Sequence, residues 1–515
     1  MNKKVDQSLG KIAKGTSILF FGIIVSTVIK FSARVFIIRN ISQSDYGIYG
    51  LGITILSIAF TLAILGLNNG IPKQISNLVN EEKSKVPTVI DSSILISLVS
   101  SFSTCALIYL LADYFSYVFN EPGLTFPLRI LSLSIPFILL SRILIAIFRG
   151  FDRSKEKVYF HNVLRPVLFL GSLSIFYFIM GLNLLNVVYS YFLSWLLTGI
   201  LFFVYSYRRS RLSINLSLSK ETLKMSKTLL LFSIPLLVTS ILNLVMNWTD
   251  TLMLGYFESS DVVGLYKGTY PLSRYMTKSL GIFSFIFMPV VSKLYMDNLL
   301  DEAKRTYQVV TKWLFSLSLP IFFVIFVFSE FTLGFLFGPE YRAAGLTLKL
   351  LSLGFFSHVV VGLNGQSLVA IGKNRLVLYG SLIGGLLNVI LNVGLIPLFG
   401  IEGAAIASTI GYIGTNIHNS LRLYRTSKLQ PFYNNYLKIV GSSIILILFF
   451  IFLRSFVVIN LLSFVILTFL FSILYIVSVA LLHSFDEEDI RLIEKIEKKT
   501  GLDLDKIKKV LKKFS

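Results

Sequence analysis

The stretch VLFLGSLSIFYFIMGLNLLNVVYSYFLSWLLTGILFFVYSYRRSRLS (167–213) sets the class of fold. It carries no Asp, Glu, Lys or Arg until Arg208 and then turns abruptly basic. Two apolar runs near the roughly 20 residues that cross a bilayer are joined by a short polar turn around Asn183 and closed by YRRSRLS (207–213). The same pattern recurs along the 515 residues, which are 54% hydrophobic and 15% charged, with a mean hydropathy of +0.75. Soluble domains carry about 25% charged residues. The chain is therefore an all-α polytopic membrane protein.

Apolar runs place about fourteen helices, near 16–38, 48–70, 88–112, 124–148, 160–181, 185–207, 229–255, 270–292, 310–328, 344–371, 375–399, 402–425, 437–459 and 462–483. The first run lacks a small-residue cleavage site and reads as a retained helix. With the N-terminus inside, the inner loops hold the run Lys3 to Lys14, RGFDRSKEK (149–157) and YRRSRLS, whereas the outer loops hold only Arg39, Lys267, Arg342 and Arg454. This bias puts both termini in the cytoplasm and the chain in the cell membrane. It also accounts for most of the +21 net charge, so no nucleic-acid partner is implied. Cys105 is alone and mid-helix, which leaves no disulfide or metal framework.

A shift of 217 residues superimposes Gly47 on Gly264, Tyr49 on Tyr266 and Pro72 on Pro289. The repeat keeps helix direction and predicts two six-helix lobes, 1–215 and 216–430, related about the membrane normal, with transmembrane helices 13 and 14 (431–485) as an appendage. The remaining segment, 486–515, reads as a cytoplasmic basic tail of two short amphipathic helices broken at Gly501.

Two pairs of cations interrupt the apolar runs: Lys30 with Arg34, and Arg274 with Lys278. Each pair has i,i+4 spacing, which puts both side chains on one face of a regular helix. One such charge near a helix centre costs roughly 2.5–3.5 kcal/mol on insertion scales. Lys30 and Lys278 lie about eight residues, or about 12 Å, below the outer helix ends, with Arg34 and Arg274 one turn nearer the outside. Two rungs at matched depth suit an anionic diphosphate held by charge-assisted hydrogen bonds. Snorkelling to the headgroups competes with this reading, and for Arg129 and Arg142 on helix 4 it competes on equal terms.

Helix 7 carries Asn243, Asn247 and Asp250 on one stripe. Asp250 reads as a counter-ion for the cations or a coupling site for H+ or Na+, with an interhelical hydrogen-bonding seam as an equal alternative. Asn388 and Asn392 favour the seam. His358 reads as a packed or pore-lining histidine. Pro136, Pro235 and Pro320 are expected to loosen the backbone bonding of their helices.

The segments RNISQSDYGIYGL, TDTLMLGYFESSDVVGLY, FGPEYRAAGLTLKLLSLG and LLNVILNVGLIPLFGIEGAAIASTIGY cover turns and packing positions across residues 16–430. In these the chain resembles the oligosaccharide (polysaccharide) flippases of the multidrug/oligosaccharidyl-lipid/polysaccharide (MOP) exporter superfamily. The resemblance implies a MATE-like fold of two six-helix lobes and alternating access that moves a lipid-linked sugar from the inner to the outer leaflet. Its lipid II flippase branch also carries two extra C-terminal helices and a cationic cavity. The expected substrate is a polyprenyl-(di)phosphate-linked oligosaccharide, bound by Lys30, Arg34, Arg274, Lys278, Arg142 and Asn247. No cofactor is expected beyond coupling to an H+ or Na+ gradient or to the membrane potential. The expected partners are the lipid-linked oligosaccharide and membrane lipids, for a monomer that works with glycosyltransferases. A multidrug or cation exporter is the alternative, although cationic drugs would favour acidic cavity residues. A membrane-embedded glycosyltransferase or polymerase fits less well, because the outer loops are short and poor in acids.

Overall fold

A computed structural model describes residues 3–153, 155–208 and 219–484, together with Asp486, Glu488 and Asp489. Among these, every regular element is helical. The amphipathic helices expected over 490–515 lie outside the described residues. Among the described residues, nine helices are long and apolar enough to cross a membrane, or ten if the bent pair Pro122–Ser132 and Ile135–Gly150 is one span.

Several of the expected runs are broken or joined differently in the structure. The run Asn374–Ser427 is continuous by hydrogen bonding, yet Gly400 within it has φ 52° and ψ −127°, so two helices meet there. Their junction falls between the runs expected at 375–399 and 402–425. The region expected as one helix over 270–292 is instead Ser260–Ser273, a 3-10 turn Arg274–Thr277, and Lys278–Met296. Pro136 sits in the first turn of Ile135–Gly150, where its missing N–H costs nothing, so it starts a helix after a 43° bend rather than loosening one.

By packing, the described chain divides into two compact units, Met1–Lys267 and Gly268–Ser515. In the first unit the helix Lys220–Phe257 packs on Gln43–Ala63, Leu67–Glu81 and Val86–Leu110. Gly66, at φ 75°, makes part of this possible: a Cβ there would overlap the Ser233 carbonyl. Leu67, Ile71, Ile75, Ile90, Ile147 and Leu229 fill the centre. Because lipid is as apolar as these side chains, close packing rather than transfer from water holds the helices together.

Gly47 and Gly264 lie where Gln43–Ala63 crosses Ser260–Ser273; a Cβ on Gly47 would overlap the Ser260 carbonyl, and one on Gly264 the Gln43 carbonyl. Ser44 and Ser260 hydroxyls meet at 2.6 Å, and Gln43 Nε2 donates to the Asp261 carbonyl at 2.8 Å.

In the second unit, Leu300–Val327 is central. Phe323 stacks on Phe471 with centroids 3.7 Å apart and meets Phe450 edge-on, which ties the two last helices, Asn434–Arg454 and Leu461–Leu481, to it. Asn388 Nδ2 donates to Ser408 Oγ at 3.2 Å, an interhelical polar contact of the expected seam, and Asn392 is fully buried. His358 packs edge-on against Tyr412, centroids 5.2 Å apart, as a packed histidine does.

Candidate functional site

The segment Lys157–Leu164 is a π-helix, a wider turn that often marks a functional position, and it runs directly into the α-helix Arg165–Met180. Lys157, His161 and Arg165 recur every four residues along this stretch, so they form one basic stripe. Gly22 on the helix Lys3–Asn40 passes Val158 so closely that a Cβ would overlap its side chain. That contact brings the first helix to the stripe, and Lys30 lies within electrostatic range of His161, as do Arg142, Lys157 and Arg165.

Beside the stripe is a cavity of about 330 Å³, within the range of roughly 300–1,000 Å³ typical of ligand pockets. Arg142, Arg149 and Lys157 line it with Phe60, Thr61, Ile64 and Asn68. Arg142 lies over Phe60, 5.9 Å from guanidinium carbon to ring centroid. Arg149 donates to the Asn68 carbonyl at 3.4 Å. None of Arg142, Arg149, Lys157 and Arg165 is in an ion pair with a carboxylate among the described residues.

Aromatic faces stand in for the missing acids. Arg165 lies 5.4 Å from the Phe169 centroid, 5.0 Å from Tyr191 and 4.8 Å from Trp195. Each such contact contributes on the order of 0.5–2 kcal/mol, which is less than a buried cation loses on leaving water. Several polar atoms around the cluster are buried without a protein partner: Arg142 Nε, Arg165 Nε, His161 Nδ1, Trp195 Nε1 and Asn68 Oδ1. Four of these are on groups able to donate a hydrogen bond. Chemically, the arrangement suits an anion with several acceptor oxygens.

The residues singled out from sequence fall in different settings. Arg142 lies in the cavity wall. Lys30 is exposed and Arg34 half-buried on the first helix, where Arg34 hydrogen bonds to Tyr46 and lies within electrostatic range of Lys267. Arg129 is paired with Asp113 at 2.7 Å and is outside the cluster. Arg274 and Lys278 belong to the second unit; Arg274 lies 5.7 Å from the Tyr270 centroid and 5.9 Å from Phe355, and Lys278 lies 4.0 Å from Tyr275. Because Arg274–Thr277 is a 3-10 turn, the one-face argument for this pair, which assumes a regular α-helix, does not hold.

Asp250, 4% exposed, accepts a hydrogen bond from Tyr266 OH at 2.5 Å. Asn247 is half-buried one turn away, and the side chain of Asn243 lies outside the described residues. Near Asp250 in sequence, Trp248 carries Lys267, whose ammonium is 4.5 Å from the ring centroid and 3.2 Å from Thr54 Oγ1. Gly50 makes room for the lysine stem; a Cβ there would come within 2.8 Å of Lys267 Cγ.

Sequence reasoning missed Arg149, Lys157, His161, Arg165 and Lys267. Hydropathy places the first two in an inner loop, and a helix start at 160 cuts the stripe in half. A Lys-x-x-x-His-x-x-x-Arg pattern facing the Tyr191–Trp195 pair was the available signal. Lys267 was read as an outer-loop residue, whereas it lies within the helix Ser260–Ser273.

The comparisons agree with this picture at the level of fold and family. A family model described as polysaccharide biosynthesis protein matches residues 12–295, more than half of the chain, and a MatE model matches residues 235–393. The chain is 26% identical over 416 residues to a probable low-salt glycan biosynthesis flippase, Agl15, of Haloferax volcanii, covering 79% of this chain and 82% of that one. Among solved structures, the lipid II flippase MurJ in an inward closed conformation superposes with a TM-score of 0.67 at 18% identity, over 90% of this chain and 98% of that one. An inward-facing multidrug resistance MATE family transporter superposes with a TM-score of 0.63 at 16% identity, over 78% and 96%. The expected MATE-like all-helical fold is thus found, and the chain belongs to the polysaccharide biosynthesis protein family.

Proposed function

We propose that this protein flips a polyprenyl-(di)phosphate-linked oligosaccharide from the cytoplasmic to the outer leaflet of the cell membrane. The observation that carries this reading is the cavity in the first unit lined by Arg142, Arg149 and Lys157, three cations with no carboxylate partner among the described residues. A phosphate or diphosphate offers the charge and the acceptor oxygens that this wall lacks. Lys30 and Arg165, within electrostatic range of His161, add positive charge to the region, and Trp195 and Tyr191 supply faces on which a sugar ring can stack. A substrate-binding role for Arg34 and Asn247 of the first unit, and for Arg274 and Lys278 of the second, is an expectation from the sequence that this reading carries forward as a proposal.

Alternating access would carry the head across, with both termini cytoplasmic and glycosyltransferases supplying the loaded lipid. Asp250, held by Tyr266, is the candidate for coupling to an ion gradient. A cation exporter is disfavoured because, among the described residues, the cavity is lined by Arg142, Arg149 and Lys157 and by no carboxylate.

Neutralising the wall tests the proposal. Arg142→Gln with Lys157→Gln should abolish surface-glycan output in cells that depend on this flippase, while the protein still inserts and unfolds at its normal temperature. Normal output from a correctly inserted double variant would refute the headgroup role.

A further inference from the structure

A helix of the second unit breaks at Gly362, and side chains from two other helices hold the broken end. Gly345–Val361 stops there because Gly362 has φ 66° and ψ −141°, a conformation that suits glycine alone. A Cβ at this position would also overlap Thr311 Oγ1. The chain resumes as the short helix Asn364–Ala370, and a second left-handed glycine, Gly372 at φ 77°, follows it. A seven-residue helix thus lies between two positions able to absorb large dihedral changes.

A helix end leaves its last carbonyls without intrahelical partners, and among apolar neighbours other helices must supply the donors. Tyr307 OH, on Leu300–Val327, donates to the Val361 carbonyl at 2.5 Å. Tyr436 OH, on Asn434–Arg454, donates to the Val360 carbonyl at 2.6 Å. Both tyrosines are fully buried. Beyond the break, Asn364 Nδ2 donates to the Asn416 carbonyl at 3.2 Å and to Ser420 Oγ at 3.0 Å. Directional bonds of this kind are either made or broken, which is what a two-state joint requires.

A carboxylate rivet sets where Tyr436 stands. Lys312, only 3% exposed on Leu300–Val327, has its ammonium 2.5 Å from both Asp486 and Asp489. Tyr433 OH and Asn435 Nδ2, beside Tyr436 in the chain, donate to the two oxygens of Asp486 at 2.5 and 3.1 Å. Arg305 reaches Asp486 at 3.1 Å and lies 5.1 Å from the Tyr433 ring centroid. Burial pushes the Asp486 carboxyl up, but the hydrogen bonds from Lys312, Tyr433 and Arg305 outweigh it and bring it to about 2, so the rivet stays ionised at neutral pH. It fastens the start of Asn434–Arg454 to the helix that carries Tyr307.

We propose that the break at Gly362 is a hinge, that the Tyr307 and Tyr436 hydroxyls are its catch, and that Asn434–Arg454, riveted to Leu300–Val327, sets how readily it opens. With both hydroxyls bonded, Asn364–Ala370 is locked; with both released, it swings between Gly362 and Gly372. A part for this motion in transport rests on the flippase reading, whereas the hinge itself does not.

Hydrogen–deuterium exchange of the purified full-length protein tests the hinge. The amides of Ser367, Ile371 and Lys373 bond within the segment and report its opening. Tyr307→Phe and Tyr436→Phe each keep the ring and remove one bond, so each should speed exchange over residues 362–373 about tenfold and leave Leu461–Leu481 unchanged. Asp486→Asn should act in the same direction through Tyr433 and Asn435. Unchanged exchange in both phenylalanine variants, or an equal rise in every helix, would overturn the hinge. Wild-type exchange over 362–373 in Asp486→Asn would overturn the control by the rivet. Flipping of a polyprenyl-diphosphate oligosaccharide in proteoliposomes tests the link to transport, and the phenylalanine variants should alter its rate at unaltered affinity. An unaltered rate would overturn that link; no flipping by wild type would overturn the flippase reading and leave the exchange result standing.

Discussion

Trp195 lies against Arg165, its ring centroid 4.8 Å from the guanidinium carbon, and leaves its own Nε1 without a protein partner. The ring supports the cation while its N–H remains available to an acceptor. Trp195→Ala should weaken binding of a polyprenyl diphosphate by about tenfold, given roughly 1–2 kcal/mol for a desolvated cation–π contact. Trp195→Phe should recover part of that loss by restoring a ring face. Isothermal titration of the purified protein measures both.

Gly47 and Gly264 make a second testable contact. A side chain at position 47 meets backbone, which cannot move aside as a flexible side chain can. Gly47→Ala should therefore destabilise the first unit by about 2–3 kcal/mol. Thermal unfolding in detergent should show a lower midpoint than for Gly281→Ala, where a Cβ meets open space.

The rivet predicts a pH dependence. The contribution of Asp486, held by Lys312, Tyr433 and Arg305, should be constant from neutral pH down to the ordinary carboxylate range, fall progressively below it, and be gone once the pH is below about 2. Asp486→Asn should lower the unfolding temperature at neutral pH and by progressively less as the acid limit is approached. Equal destabilisation at both ends of the scale would argue against an ionic contribution.

The spans were legible because hydrocarbon imposes length and composition together, and 167–213 shows both without ambiguity. Helix breaks were less so. Gly400 could be located from sequence as a junction, but the 3-10 turn at Arg274–Thr277 depends on packing that no periodicity reports. Arg142 was legible as a cation within a span, with a binding role and snorkelling on equal terms, and it is half-buried in the cavity wall. Its companions were not, because hydropathy alone assigns Lys157 to a loop and cannot register a π-helix. The rivet was beyond reach, since Lys312 and Asp486 are 174 residues apart in the chain.

The central claim is that the cavity of the first unit holds an anionic headgroup. The direct measurement is the affinity of the purified protein for a polyprenyl diphosphate and for the matching uncharged polyprenol, in wild type and in Arg142→Gln/Lys157→Gln. Wild type should prefer the diphosphate by at least about a hundredfold, a preference that weakens with salt and is largely lost in the double variant. Equal affinity for the charged and uncharged lipids, or a diphosphate preference that survives loss of both cations, would contradict it.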